Sequence, residues 1–249
     1  MKSLATTSFL CALLLFGVLL PFSSNAQLDP SFYNNTCPNV SSIVRDVIRN
    51  VSKTDTRMLA SLVRLHFHEC FVQGCDASVL LNTTDTIVTE QDAFPNINSL
   101  RGLDVVNKIK TAVESVCPNT VSCADILALA AELSSTLSQG PDWKVPLGRR
   151  GSLTANQTLA NQNLPAPFNS LDQLKAAFAK QGLNTTDLVA LSGAHTFGKA
   201  HCSLFVSQLY NFCNTNNLHP IHLTTTNQFL SFRSVFRLPL TNLLTISNA

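Results

Sequence analysis

The stretch Arg64-Leu-His-Phe-His-Glu-Cys-Phe71 gathers an arginine, two histidines and a glutamate within eight residues, in a chain only 13% charged. Three chemistries compete for it: metal ligation, an acid–base pair, or core histidines beside an ion pair. Helical spacing separates them. Arg64 and His68, at i and i+4, share one face, and His66, two residues from His68, points elsewhere. A zinc site built from His66, His68 and Glu69 is therefore disfavoured, and His66 reads as a packed or hydrogen-bonded helix residue. On the shared face, a neutral His68 could take a proton from a bound substrate and return it elsewhere. Arg64 could stabilise charge developing on oxygen. Holding His68 neutral beside a cation calls for an acceptor on its other ring nitrogen, and a side-chain amide carbonyl would serve without adding charge. The plain alternative is a polar helix face.

The residues that follow, Glu69 to Ser78, offer oxygen. Asp76 and Ser78 alternate on one side, and Val72 and Gly74 could supply carbonyls, a set that suits a hard cation such as Ca²⁺. A Cys70–Cys75 pair would close a tight ring around it; an Asx-rich turn held by a disulfide is the alternative. A third histidine, His195, sits in Leu191-Ser-Gly-Ala-His-Thr-Phe-Gly198 at the end of an apolar helix. A lone histidine there is more often structural than a ligand, but Gly193 and Ala194 would let something large approach, and the apolar helix burying His195 could form the wall of a haem pocket.

The elements that must position these groups are helical. Ile43, Val44, Val47, Ile48 and Val51 define one apolar face after Ser41-Ser42. Further helices are expected from Met58 to near Cys70, over Leu103–Val116, Val121–Leu137, Leu171–Gln181 and Leu188–Ala194, and over Phe197–Phe212. Strand patterns are few, so the fold class is all-α. Phe71–Arg101 and Trp143–Asn169 read as long non-helical segments, which inside a compact domain are functional or pinned.

The N-terminus reads as a secretory signal over residues 1–26: Lys2, an apolar run Phe9–Leu20, and the small-x-small site Ser24-Asn-Ala26. Export implies an oxidising environment, so the seven remaining cysteines read as disulfide partners with at least one left over. Six Asn-x-Ser/Thr sequons, beginning at Asn34, Asn39, Asn50, Asn82, Asn156 and Asn184, agree with a secreted glycoprotein. The formal charge of +2 and the absence of a basic block exclude a nucleic-acid footprint. No later stretch reaches membrane-spanning length.

Five motifs in order carry a family resemblance: Arg64 to Ser78, Thr120-Val-Ser-Cys-Ala-Asp125, Val145-Pro-Leu-Gly-Arg-Arg150, Asn163-Leu-Pro-Ala-Pro167 and Asp187 to Gly198. Together they resemble the secretory plant (class III) haem peroxidases from Gln27 to about Asn214. The resemblance implies an all-α peroxidase fold with haem b between distal and proximal halves. It makes His195 the axial iron ligand, His68 the distal acid–base residue, Arg64 the distal arginine, and Asn96 the amide that orients His68. Phe67 would lie at the haem edge and Pro165 at the donor site. Glu69, Val72, Gly74, Asp76 and Ser78 would bind a distal Ca²⁺, with Glu90 behind a bound water, and Thr196 would belong to a proximal Ca²⁺ site. The implied disulfides are Cys37–Cys117 and Cys70–Cys75, with Asp125–Arg149 as a buried ion pair. Hydrogen peroxide and small phenolic donors are the implied substrates, the extracellular space the implied location, and a monomer the implied state.

Glu69 stands where the family carries aspartate, and Gly151 where aspartate is common. No acid follows Asp187 in the sequence, whereas the family uses a later aspartate to accept the proximal imidazole's Nδ1–H. Residues 215–249 read as a divergent tail, and the C-terminal part of the proximal half is expected to be missing. The proximal calcium site is then incomplete, and the alternative reading is a secreted, non-catalytic peroxidase-like glycoprotein or inactive truncated isoform.

Overall fold

Apolar residues spaced along one face build the first helix, α1 (Val40–Ser52), whose Val40, Val44 and Ile48 are buried. The computed structural model describes residues 28–204. Residues 1–26, expected to be a signal, and 215–249, expected to be a divergent tail, lie outside them. The remaining α-helices are α2 (Arg57–Gln73), α3 (Leu103–Glu114), α4 (Cys123–Leu137), α5 (Gln157–Asn163), α6 (Leu171–Lys180) and α7 (Thr185–Ser192), with 3-10 turns between α2 and α3 and after α7. Among the described residues the only β pairing is an isolated bridge between Asp29 and Leu147. The all-α class expected from periodicity is the observed one.

Two apolar clusters form the interior, and α2 belongs to both. Its first part contributes Met58, Leu59, Leu62 and Leu65 to a core shared with α1, α3 and α4. Its last turns contribute Phe71 and Val72 to a second cluster with Ala160, Leu164, Phe178, Leu183 and Leu188. Phe67, Phe71 and Phe178 stack edge to face in series, with centroids 4.6 and 5.1 Å apart. Helix α4 is buried continuously from Ala124 to Ser135. Its alanines explain how: small side chains let α1 and α2 approach closely. Ser122 starts α4 by accepting from the Asp125 amide, and capping boxes start α6 (Ser170, Gln173) and α7 (Asn184, Asp187).

Asp125 fastens the N-terminal segment to this core. It is fully buried and accepts from Tyr33 Oη (2.7 Å), the Gly148 amide (2.8 Å) and Arg149 Nη1 (3.2 Å). Burial, followed by the contact with Asp125, pushes the Tyr33 phenol up to about 12, so Tyr33 remains a donor. Disulfides join Cys37 to Cys117 and Cys70 to Cys75. Among the described residues Cys123 carries a free thiol.

The segment Trp143–Asn169, expected to lack helix, contains α5. Asn156 caps it, accepting from the Leu159 amide at 2.9 Å. The helix is short and polar, with only Ala160 buried, so tertiary packing rather than periodicity holds it. Phe71–Arg101 likewise contains the end of α2 and 3-10 turns at Ser78–Leu80 and Glu90–Asp92. The helix expected over Phe197–Phe212 is absent from its described part, where only Cys202–Leu204 forms a 3-10 turn. Positive φ at Gly198 (+93°) directs the chain there, with the glycine's Cβ position 2.7 Å from the Ala60 methyl.

The Cys37–Cys117 bridge closes a loop of sequence separation 80, which by loop-closure entropy is worth about 4 kcal/mol. Replacing both residues with serine should lower the unfolding free energy by about that amount in urea titrations, and a change below about 1 kcal/mol would contradict it.

Candidate active site

Helix α2 presents Arg64 and His68 one turn apart. The His68 ring is buried, and its Nδ1 lies 2.6 Å from Asn96 Oδ1. Asn96 is buried as well, and its Nδ2 donates to the Glu90 carbonyl at 2.8 Å. That second bond fixes which end of the amide faces the imidazole. An amide oxygen only accepts, so Nδ1 carries the proton and Nε2 keeps its lone pair. Burial, reinforced by the Arg64 charge, lowers the His68 pKa to about 3 against the opposing Asn96 bond. The ring is thus neutral, oriented, and basic only at Nε2.

Arg64 donates through Nη1 to the Ser99 carbonyl (2.9 Å) and through Nη2 to Ser99 Oγ (3.1 Å) and the Pro95 carbonyl (3.3 Å). Phe67 lies between Arg64 and His68 in sequence and packs edge-on against the His68 ring, centroids 5.1 Å apart. His66 is buried on another side of α2, with Nδ1 3.3 Å from Glu69 Oε2. His66, Cys70 and Cys75 converge within 4.8 Å, but the two sulfurs are bonded to each other and offer no thiolate to a metal.

Gly74, at φ +97°, ends α2 and turns the chain into an oxygen-rich loop. Glu69 Oε1 accepts from the Ala77 amide (2.6 Å), and Asp76 Oδ1 from the Ser78 amide (3.0 Å). The Val72 carbonyl accepts from Asn163 Nδ2 (3.3 Å), and the Gly74 carbonyl from the Asp76 amide (3.0 Å). Glu90 Oε1 accepts from the Asn156 amide at 2.9 Å. Among the described residues, Ser78 Oγ and Glu90 Oε2 are buried outside any well-formed hydrogen bond, and the Ser78 hydroxyl is near enough to the Glu90 carboxylate to lower its pKa against burial. Burial raises the pKa of Glu69 and of Glu90, and the Asp76 carboxylate adds to both. Buried oxygens gathered beside carboxylates whose pKa values burial raises fit a hard cation, which would coordinate the oxygens and favour the charged carboxylates.

His195 lies on the 3-10 turn Gly193–Thr196, after α7 has ended at Ser192, and is exposed rather than buried by an apolar helix as expected. Its Nδ1 is 3.0 Å from the Ser192 carbonyl, so Nδ1–H donates and Nε2 is free to ligate. Phe197 packs against the first core, and Gly198 touches Ala60 of α2. The His195 segment therefore returns to the helix carrying Arg64 and His68. An imidazole whose Nδ1–H is committed to a carbonyl, leaving Nε2 as its ligating atom, fits an axial haem ligand. Thr196 Oγ1 donates to the Gly193 carbonyl (2.8 Å). Pro165 is half-buried in the segment after α5.

Asn96 was legible only through the family resemblance, Asn156 only as a sequon, and Ser99 not at all. The signal at Asn156 was its residue type, since asparagine is among the preferred helix N-caps.

With this geometry in view, the comparisons define the class. A sequence profile described as peroxidase matches residues 44–233. The chain belongs to the peroxidase family, in its class III plant branch. It is 55% identical over 233 residues to peroxidase C1B of Armoracia rusticana and 54% identical over 232 residues to peroxidase 34 of Arabidopsis thaliana. Each alignment covers 92% of this chain and 66% of the relative. Peroxidase 15 of Ipomoea batatas is 56% identical over 223 residues, covering 89% of this chain and 68% of the relative. The chain thus spans about two thirds of the length of these relatives. The profile match continues into the 215–249 segment, beyond the end assigned to the resemblance from motifs.

The depressed His68 pKa fixes a sign. The unfolded chain binds the proton first, near the ordinary value of about 6.5, so this group's contribution to stability is lost as pH falls from there toward about 3. Histidine ring-proton NMR should show no His68 titration between about pH 8 and about pH 4. A midpoint near 6.5 would contradict the assignment.

Proposed function

We propose that this chain is a haem-dependent peroxidase that reduces hydrogen peroxide at the expense of small phenolic donors. The observation carrying this reading is the 2.6 Å His68–Asn96 contact, which supplies a neutral, oriented base one helical turn from an arginine. His68 Nε2 takes a proton from the bound peroxide and delivers it to the departing oxygen. Arg64 stabilises the negative charge that grows on that oxygen. Asn96 prevents the ring from turning and fixes its tautomer. His195 would hold the iron through Nε2. Haem, when bound, supplies the iron that accepts and returns electrons. Two phenols each give one electron and one proton, so one peroxide yields two waters and two phenoxyl radicals. Phe67 and Pro165 would line the approach of haem and donors.

Ca²⁺ would sit among Glu69, Val72, Gly74, Asp76 and Ser78, with Glu90 behind a bound water. The buried Ser78 Oγ and Glu90 Oε2, neither in a well-formed hydrogen bond, support this set. Thr196 would serve a second Ca²⁺. The apolar run before Gln27 supports secretion, and the sequons support glycosylation. Among the described residues no helix is long and apolar enough to cross a membrane.

Haemin added to the folded chain should produce a Soret band and peroxide-dependent phenol oxidation. His68→Ala should lower the rate with peroxide by roughly 10²- to 10⁴-fold, leaving haem uptake intact. No haem uptake by the unaltered chain would instead favour the secreted non-catalytic reading. Ca²⁺ at about a hundredfold excess over its Kd should stabilise the chain by roughly 3 kcal/mol in thermal unfolding. Glu90→Gln should reduce that gain, and an unchanged response in the variant would remove Glu90 from the site.

A further inference from the structure

We propose that Ser99 is a positioning residue for Arg64, and that the turn 95–99 is a clamp holding both reactive groups of α2. The inference rests on the proposed role of Arg64 in peroxide reduction and concerns how that arginine is held. Three bonds tie its guanidinium to one turn: the Ser99 carbonyl, Ser99 Oγ and the Pro95 carbonyl. Between those residues in sequence, Asn96 holds His68. One short segment thus grips the base through an amide and the cation through a hydroxyl and two carbonyls.

The polarity of the Ser99 hydroxyl follows from its surroundings. It lies 2.9 Å from the Pro95 carbonyl and 3.0 Å from the Asn96 carbonyl. Its single proton goes to one of them, which leaves its lone pairs for Arg64 Nη2. The hydroxyl therefore links the backbone that carries Asn96 to the arginine. Among the described residues, every acceptor on Arg64 is a neutral oxygen. Arg101, two residues beyond the clamp, is different: Asp55 pairs with it at 2.5 Å. A carboxylate on Arg64 would neutralise the charge required at the departing oxygen. A cradle of carbonyls and a hydroxyl fixes the guanidinium and leaves its charge available.

The test uses the full chain with Ser99→Ala and Ser99→Thr. In the haem-free protein, ¹⁵N NMR reads hydrogen exchange at the Arg64 guanidinium, and the His68 Nδ1–H signal reports whether the turn is intact. Exchange at Nη should quicken in Ser99→Ala and stay slow in Ser99→Thr, with the His68 signal retained in both. After haemin loading, Ser99→Ala should react with peroxide about fivefold more slowly, the size of one net hydrogen bond. The phenol-oxidation step should be unchanged, and Ser99→Thr should recover the peroxide rate. Unchanged exchange in Ser99→Ala overturns the clamp. So does faster exchange with an unchanged peroxide rate, or a threonine variant as slow as the alanine one. If the His68 signal is lost in Ser99→Ala, Ser99→Cys takes its place with the same expectations, because it keeps the size but accepts poorly. An unaltered chain that binds haem without consuming peroxide overturns the peroxidase reading and the catalytic half of this proposal. The exchange measurement still decides whether Ser99 holds Arg64.

Discussion

The site depends on one side-chain amide. Asn96 accepts from His68 Nδ1 and donates to the Glu90 carbonyl, so neither of its ends is free to turn. Each bond adds only about 1 kcal/mol net, whereas leaving a buried partner unpaired costs about 1–3 kcal/mol. The asymmetry makes the arrangement all-or-none. Glu90 is itself fixed, because Thr89 caps its 3-10 turn and the Asn156 amide holds its carboxylate. Asn96 and Glu90 thus add a polar link between α2 and the start of α5 to the packing of Phe71 and Val72 on Ala160. An amide does what a carboxylate could not: it orients the ring while adding no charge that would pull the proton back onto His68.

That precision needs a rigid support, and α2 supplies it by being buried in two directions. Its early turns pack on α4, which can come close because it is rich in alanine, and its late turns enter the phenylalanine series with Phe178. Asp125 fixes the perimeter, gathering Tyr33, Gly148 and Arg149 around one carboxylate. A buried ion pair is weak evidence for net stability, because desolvation offsets the attraction. Its contribution here is geometric. It docks the N-terminal segment and the 146–149 stretch onto α4 with its hydrogen-bonding capacity filled.

What the sequence disclosed tracks the range of each interaction. The α1 stripe and the shared face of Arg64 and His68 are matters of i and i+4 spacing, so both were legible. Asn96 stands 28 residues from its histidine in a polar loop, and no periodicity marks it; only the family resemblance brought it forward. Ser99 had no such help. Helix α5 escaped because its composition is that of a loop, and its packing partners lie on other elements. The pairing of Cys37 with Cys117 could not follow from seven cysteines by counting. The exposure of His195 was missed for a related reason: the apolar run before it suggested a buried helix end, whereas the helix stops at Ser192 and a tighter turn swings the ring outward.

The two histidines then differ in the acceptors that orient them, and the difference bears on what each can do. Both donate Nδ1–H to a neutral oxygen: Asn96 Oδ1 for His68, the Ser192 carbonyl for His195. For an acid–base group a neutral acceptor is an advantage, because the ring must lose its second proton readily. For a metal ligand it is the weaker choice, since a carboxylate would draw the proton further and make the imidazole a stronger donor. The Ser192 carbonyl also belongs to the same turn as His195, so it orients the ring only as well as that turn is itself held. Gly198 against Ala60 and Phe197 against the first core supply that hold. The chemistry on the α2 side is thus built from contacts across the fold, and the chemistry at His195 from a local bond steadied by the packing of the residues that follow it.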